Sequence, residues 1–217
     1  MARRIGLLGG TFDPVHLGHL RMALEAREAL ALDEVRLLPC HQPPHRAAPN
    51  VDSAQRTEML RRALADCPTL ALDDRELRRD GPSYTVDTLQ SLRQSEGDDA
   101  RLVWILGGDA FLGLTQWHRW QALLDYAHLL VIDRPGWSLP AKGELAEWLD
   151  RHRVAPDDLL DTPAGAVAVQ SLRLLPISAT EIRSLIREGR SPQFLLPEPV
   201  WHYIRQHRLY EAGPERA

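Results

Sequence analysis

Lysine is almost absent from this chain. Lys142 is the only one, so the 26 basic residues are nearly all arginine. A phosphate-binding cation here must therefore be arginine or histidine. The G-x-x-x-x-G-K-[ST] pattern is missing, which excludes a P-loop nucleotidase, and so is the G-x-G-x-x-G dinucleotide pattern. Cysteine is scarce too. Cys40 and Cys67 are the only two, far apart and in no C-x-x-C pair, so neither a zinc site nor a disulfide framework is signalled. No apolar run reaches membrane-spanning length. The amino end, Met1-Ala2-Arg3-Arg4, lacks the apolar segment and cleavage site of a secretory signal, which makes the cytoplasm the expected compartment. There is no excess of positive charge: the net charge is −4, against broad affinity for nucleic acid or an anionic bilayer.

What is present is an ordinary globular composition, 44% hydrophobic and 26% charged over 217 residues. That length predicts one α/β domain over residues 1–212, with a small helical part near its carboxyl end. Residues 213–217 read as a loose tail. Short apolar runs alternate with longer amphipathic ones. Strands are predicted at Ile5 to Leu8, Glu34 to Pro39, Thr69 to Leu72, Arg101 to Leu106 and His128 to Ile132, with one or two more in Ala166 to Leu175. Helices are predicted from Leu17 to Ala31, from the Asp52/Gln55 capping pair to Ala65, and from Ser83 to Leu92. Three more follow at Glu144 to His152, Ser178 to Arg187 and Pro199 to His207. Glu76 to Gly81 reads as a charged loop. The alternation predicts a doubly wound, mainly parallel, Rossmann-like sheet, with ligands beyond the carboxyl ends of its strands.

Three conspicuous segments sit at such ends: Gly9 to His19, Gly107-Gly108-Asp109 and Ile177-Ser178. In the first, a strand breaks at Gly9-Gly10 and restarts as a helix. Main-chain amides there can approach a phosphate, with the helix dipole favouring the anion. Thr11 adds a hydroxyl. Gly18 lets the first helical turn approach a ligand, and the spacing of His16 and His19 suits two imidazoles reaching adjacent phosphates. Ser178 has the position of a helix N-cap, which leaves other amides and Arg183 for a polyphosphate.

The string Gly9-Gly10-Thr11-Phe12-Asp13-Pro14-Val15-His16-Leu17-Gly18-His19 resembles the first signature of the H-x-G-H nucleotidyltransferase superfamily, in the form seen in bacterial nicotinate-nucleotide adenylyltransferases. Ile177-Ser178-Ala179-Thr180-Glu181-Ile182-Arg183 resembles the second signature, with Ala179 where a hydroxyl-bearing residue is usual. The resemblance implies catalytic roles for His16, His19 and Arg183. It implies an ATP site from Gly9, Gly10, Thr11, Phe12, Gly18, Gly107, Asp109, Ile177, Ser178 and Thr180. For the mononucleotide it implies Ser83, Tyr84 and Thr85 at a helix start, Trp117 stacking on the pyridine ring, Arg134 on the phosphate, and His45 and Arg46 in a loop closing over the site. The implied reaction joins ATP to nicotinate mononucleotide with release of pyrophosphate. Mg²⁺ is carried on ATP, with no protein metal cage, no other cofactor, and no nucleic-acid or membrane partner. The remaining histidines, 118, 128, 152, 202 and 207, read as structural. Oligomerisation is left open.

Three alternatives stand beside this reading. One is another H-x-G-H adenylyltransferase, of the phosphopantetheine type. Another is a metal-dependent phosphohydrolase using Asp13, His16, His19, His41 and His45, although the prolines of His41-Gln42-Pro43-Pro44-His45 preclude helical ligand spacing. The third is a nucleotide sensor without turnover.

Overall fold

The computed structural model describes residues 2–42, 49–133 and 136–212. Its centre is a six-stranded sheet. β1 (Arg4–Gly10), β2 (Glu34–Pro39), β3 (Leu70–Leu72), β4 (Arg101–Gly107), β5 (His128–Asp133) and β6 (Val167–Ser171) lie in the order β3-β2-β1-β4-β5-β6. All neighbouring strands are parallel. β1 is flanked by β2 and β4, so the direction of winding reverses between β1 and β4. That reversal opens the crevice in which such sheets bind ligands.

The strands read as continuous apolar runs because helices cover both faces. Alternate side chains separate into two cores. Leu102, Trp104 and Leu106 of β4 face one, with Leu129 and Val131 of β5. Val103, Ile105, Leu130 and Ile132 face the other. The second face is covered by α1 (Leu17–Ala29), α2 (Ser53–Leu64), α6 (Ala179–Arg187) and α7 (Glu198–Gln206). The first is covered by α3 (Thr85–Glu96), by α5 (Glu144–His152) and by a 3₁₀ turn over Trp120–Asp125. The short α4 (Gly108–Leu112) follows β4 directly.

Local signals explain several boundaries. The Asp52 carboxylate accepts the Gln55 amide at 2.8 Å and opens α2. Gly97, at φ +87°, ends α3 in a conformation side-chain-bearing residues avoid. One expectation changes. The charged segment after β3 holds a 3₁₀ turn, Arg75–Arg78, because the Glu76 side chain turns inward and is buried against Thr88. Of the one or two strands expected in Ala166 to Leu175, one forms, and Leu174 and Leu175 leave the sheet to line a cavity. The predicted tail, 213–217, lies outside the described residues.

Candidate active site

β1 delivers its chain to a sharp corner at Thr11 to Val15, and α1 starts at once. His16 is the N-cap, with extended backbone (φ −145°, ψ 170°). Its N–H donates to Nδ1 of His19 at 3.3 Å. An imidazole thus does at this helix start what a Glu or Gln does in the usual capping box. With Nδ1 accepting, the neutral His19 ring carries its proton on Nε2 and offers a donor at its far edge. The two rings stack, centroids 3.6 Å apart at 28°, and Phe12 meets His19 edge-on at 5.0 Å. His16 is 5% exposed and His19 half-buried. Gly18 makes this possible. A Cβ there would lie 3.0 Å from Cε1 and Nδ1 of His16 and 3.3 Å from the Ile177 carbonyl.

The His16–His19 pair forms one wall of a cavity of about 470 Å³. Thr11, Asp13, Gly18 and Asn50 also line it, and Ile177, Ser178, Thr180 and Arg183 come from the start of α6. Ser178 caps α6, its Oγ accepting the Glu181 amide at 3.1 Å. Arg183 donates from Nη1 to the Asp13 carbonyl at 2.6 Å and from Nη2 to Thr180 Oγ1 at 3.3 Å. Its Nε is buried and has no hydrogen-bond partner among the described residues. Two imidazoles and a guanidinium therefore converge on one concavity at a helix N-terminus, an arrangement suited to a polyphosphate.

Some predicted residues lie beside this cavity rather than on its wall. Gly9 lacks a side chain because the Trp104 indole sits there, 2.5 Å from where a Cβ would be. Phe12 is buried, in the left-handed region at φ +49°. Two of the amides at the helix start are taken within the protein: His16 N–H by His19, and Leu17 N–H by the Leu195 carbonyl at 3.0 Å. Gly107 ends β4 and Asp109 is exposed in the first turn of α4.

A second group gathers at the start of α3. Ser83 Oγ accepts the main-chain N–H of His41 at 2.9 Å, so it ties the chain leaving β2 to the α3 N-terminus. Beneath it, burial pushes the Glu76 carboxyl above its ordinary value, opposed by hydrogen bonds from Thr88 and Ser83. Tyr84 and Trp117 are half-buried and rest on the same core. Tyr84 also packs on His118, ring centroids 4.4 Å apart, which gives that histidine a partner the sequence did not indicate. Thr85 is the first residue of α3. His45, Arg46 and Arg134 lie outside the described residues.

Two residues support the site in roles the sequence did not assign. Arg56 of α2 is 1% exposed and donates to the carbonyls of Thr11 (2.7 Å) and Cys40 (2.8 Å), clamping the loops after β1 and β2 together. Asp13 is 4% exposed. Its Oδ2 accepts both the main-chain and side-chain N–H of Asn50 at 2.8 Å, and its Oδ1 accepts the Tyr210 hydroxyl at 2.8 Å. The acidic member of the alternative metal-ligand set is thus engaged by Asn50 and Tyr210.

The cytidylyltransferase-like family model matches residues 7–185. A protein of Cellvibrio japonicus named probable nicotinate-nucleotide adenylyltransferase is 53% identical over 210 residues, covering 97% of this chain and 100% of its own. One of the same name from Pseudomonas aeruginosa (strain UCBPP-PA14) is 49% identical over 212 residues, covering 98% and 99%. The fold is similar to that of Plasmodium falciparum nicotinic acid mononucleotide adenylyltransferase complexed with APC. There the TM-score is 0.70 at 15% identity, with 96% of this chain and 97% of the other covered. Such identity along nearly the whole length means that the chain belongs to the nicotinate-nucleotide adenylyltransferase family.

Proposed function

We propose that the protein transfers the adenylyl group of MgATP to the phosphate of nicotinate mononucleotide, forming the deamido dinucleotide and pyrophosphate. The observation that carries this reading is the stacked His16–His19 pair lining one cavity with Arg183 and Thr180. A mononucleotide phosphate oxygen attacks the α-phosphorus. The new P–O bond forms opposite the bridging P–O bond that breaks, and its electron pair leaves on pyrophosphate. A phosphate monoester is largely dianionic near neutral pH, so the attacking oxygen needs no general base and no covalent intermediate is required. Catalysis is alignment and charge neutralisation. His19 donates from Nε2 to the α- or β-phosphate, and His16 and Arg183 assist. Thr11, Gly18, Ile177, Ser178 and Thr180 line the polyphosphate, while Gly107 and Asp109 meet ribose at the end of β4.

Thr85, Tyr84 and Trp117 form the pyridine side. A carboxylate accepts hydrogen bonds at both oxygens, whereas a carboxamide offers one acceptor and one donor. The amides and positive dipole end of α3 favour the acid. Arg134 serves the mononucleotide phosphate, and His45 and Arg46 belong to the loop that closes over the mononucleotide. The reaction takes place in the cytoplasm, in one nucleotidyltransferase domain spanning residues 1–212. The net charge of −4 disfavours nucleic acid as a partner. No helix among the described residues is long and apolar enough to cross a membrane.

The test is pyrophosphate release with ATP and a panel of acceptors. The reading requires nicotinate mononucleotide to be used with higher kcat/KM than nicotinamide mononucleotide and phosphopantetheine. Equal use of acid and amide would overturn the pyridine assignment. Preference for phosphopantetheine, or no release with any acceptor, would overturn the reaction.

A further inference from the structure

After α7 the chain turns back on itself, and Arg208 and Tyr210 both take left-handed backbone conformations, φ +51° and +66°. Such backbone is uncommon for a bulky side chain and persists where surrounding contacts hold it. The contact here reaches across 197 positions of sequence, from the Tyr210 hydroxyl to Asp13 Oδ1 at 2.8 Å. Burial raises the Tyr210 phenol above its usual range, and the Asp13 carboxylate beside it adds to the shift, so the hydroxyl remains a donor at any working pH.

Asp13 is the acidic neighbour of Arg183, yet the two make no close ion pair. Nη1 of Arg183 bonds to the Asp13 carbonyl at 2.6 Å and stands 3.9 Å from Oδ2. Charge-assisted N–H···O⁻ bonds usually close to about 2.7–2.9 Å. The geometry explains the gap. Asn50 holds Oδ2 with two hydrogen bonds and Tyr210 holds Oδ1, so neither oxygen turns onto the guanidinium. Arg183 keeps a buried Nε with no hydrogen-bond partner among the described residues, and only a 3.3 Å bond from Nη2.

We propose that Tyr210 is a positioning residue for phosphate binding: its hydroxyl holds the Asp13 carboxylate off Arg183, keeping the guanidinium available to the polyphosphate of the nucleotide. This rests on the assignment of Arg183 to the phosphates made above. The segment after α7 is then part of the substrate apparatus. Without the hydroxyl, Oδ1 loses its anchor, the carboxylate swings toward Nη1, and Arg183 is drawn into an internal ion pair.

The experiment uses the full chain and measures inorganic triphosphate affinity by calorimetry, with the KM values for ATP and mononucleotide. Tyr210→Phe keeps the ring and deletes one oxygen. Triphosphate affinity and KM for ATP should worsen by roughly 10-fold, the scale of one charged hydrogen bond, with KM for the mononucleotide within about twofold. Two backgrounds separate positioning from general support. In Arg183→Ala, adding Y210F should change triphosphate affinity by less than about twofold, since the guanidinium is already gone. In Asp13→Asn the neutral amide has no charge to draw Arg183, so D13N/Y210F should bind triphosphate better than Y210F alone. D13N and R183A also carry the comparison if Y210F proves poorly folded: D13N should keep triphosphate affinity well above that of R183A, and equal losses would overturn the idea. A Y210F loss that adds fully to R183A, or that falls equally on both substrates, would also overturn it. If R183A binds triphosphate normally, the phosphate role of Arg183 fails and the inference with it. If R183A is impaired and a folded Y210F is normal, the inference alone fails.

Discussion

Arg56 offers a direct test of how the site is held. Its guanidinium is buried and donates to two main-chain carbonyls, Thr11 at 2.7 Å and Cys40 at 2.8 Å. Replacing it with methionine preserves much of the volume and removes both donors. A hydrogen bond involving a charged group contributes about 1.5–3 kcal/mol, and a buried carbonyl left without a donor costs about 1–3 kcal/mol. Thr11 and Cys40 are each half-buried, so water can take over part of the loss. Removing a buried charge also relieves its desolvation. The net expectation is about 2–4 kcal/mol of stability, taken from the lower part of those ranges. For a chain of this size each kcal/mol moves Tm by roughly 2–4 °C, so Arg56→Met should melt about 4–16 °C lower. Lysine keeps the charge but has no fork to span both carbonyls, and Arg56→Lys should fall between. Because Thr11 lines the cavity assigned to ATP under the proposed function, KM for ATP should rise in both variants, more in methionine. Thermal unfolding and steady-state kinetics decide it. A methionine variant melting within 2 °C of the parent, with unchanged KM, would refute the clamp.

Two further outcomes follow from named contacts. His128 is fully buried, its Nε2 2.8 Å from the Thr162 carbonyl and its Nδ1 accepting the Ala166 amide at 3.2 Å, so a second ring proton would face a donor. Burial accordingly lowers its pKa below the ordinary value. The unfolded chain then binds more protons, so the His128 contribution is complete above about pH 6.5 and is lost as pH falls below it, at up to about 1.4 kcal/mol per pH unit. Denaturant unfolding from pH 8 to pH 5 should show a shallower acid loss in His128→Asn, and identical slopes would contradict this. Gly18→Ala should push the His16 ring aside by a few tenths of an ångström, since the new Cβ would meet it at 3.0 Å. Misplacement of that kind should lower kcat by roughly tenfold while Tm moves little, and kcat within twofold of the parent would show that the ring position is not critical.

The sequence made the sheet legible because central parallel strands are apolar runs bounded by turns. Glu34–Pro39 and Glu144–His152 match their predicted limits, the other predicted helices differ by a few residues at their ends, and the short α4 was not predicted. The convergence of the site segments was legible for a related reason. Segments that follow parallel strands must emerge on one edge, so the histidine loop and the Ser178 segment meet there. What stayed hidden is long-range. Arg56 reads as one more arginine on an amphipathic helix, and only the fold reveals two carbonyls in its reach. Asp13 was noticed only as a potential metal ligand, whereas Asn50 and Tyr210 approach it from positions 37 and 197 residues away. No spacing rule links such pairs. The paired glycines were legible as a corner, but the need for Gly9 comes from Trp104 on the neighbouring strand.

The proposed reaction depends on the imidazoles at the start of α1 stabilising the phosphates during transfer. Pyrophosphate release by His19→Ala, at saturating ATP and nicotinate mononucleotide, tests it most directly. Removing one preorganised donor commonly costs about 10²–10³ in turnover, whereas the helix dipole contributes only about 0.3–1 kcal/mol. kcat should fall at least roughly a hundredfold with unfolding behaviour unchanged. A folded variant that loses less than about threefold, where a lost donor should cost about 10²–10³, would contradict it.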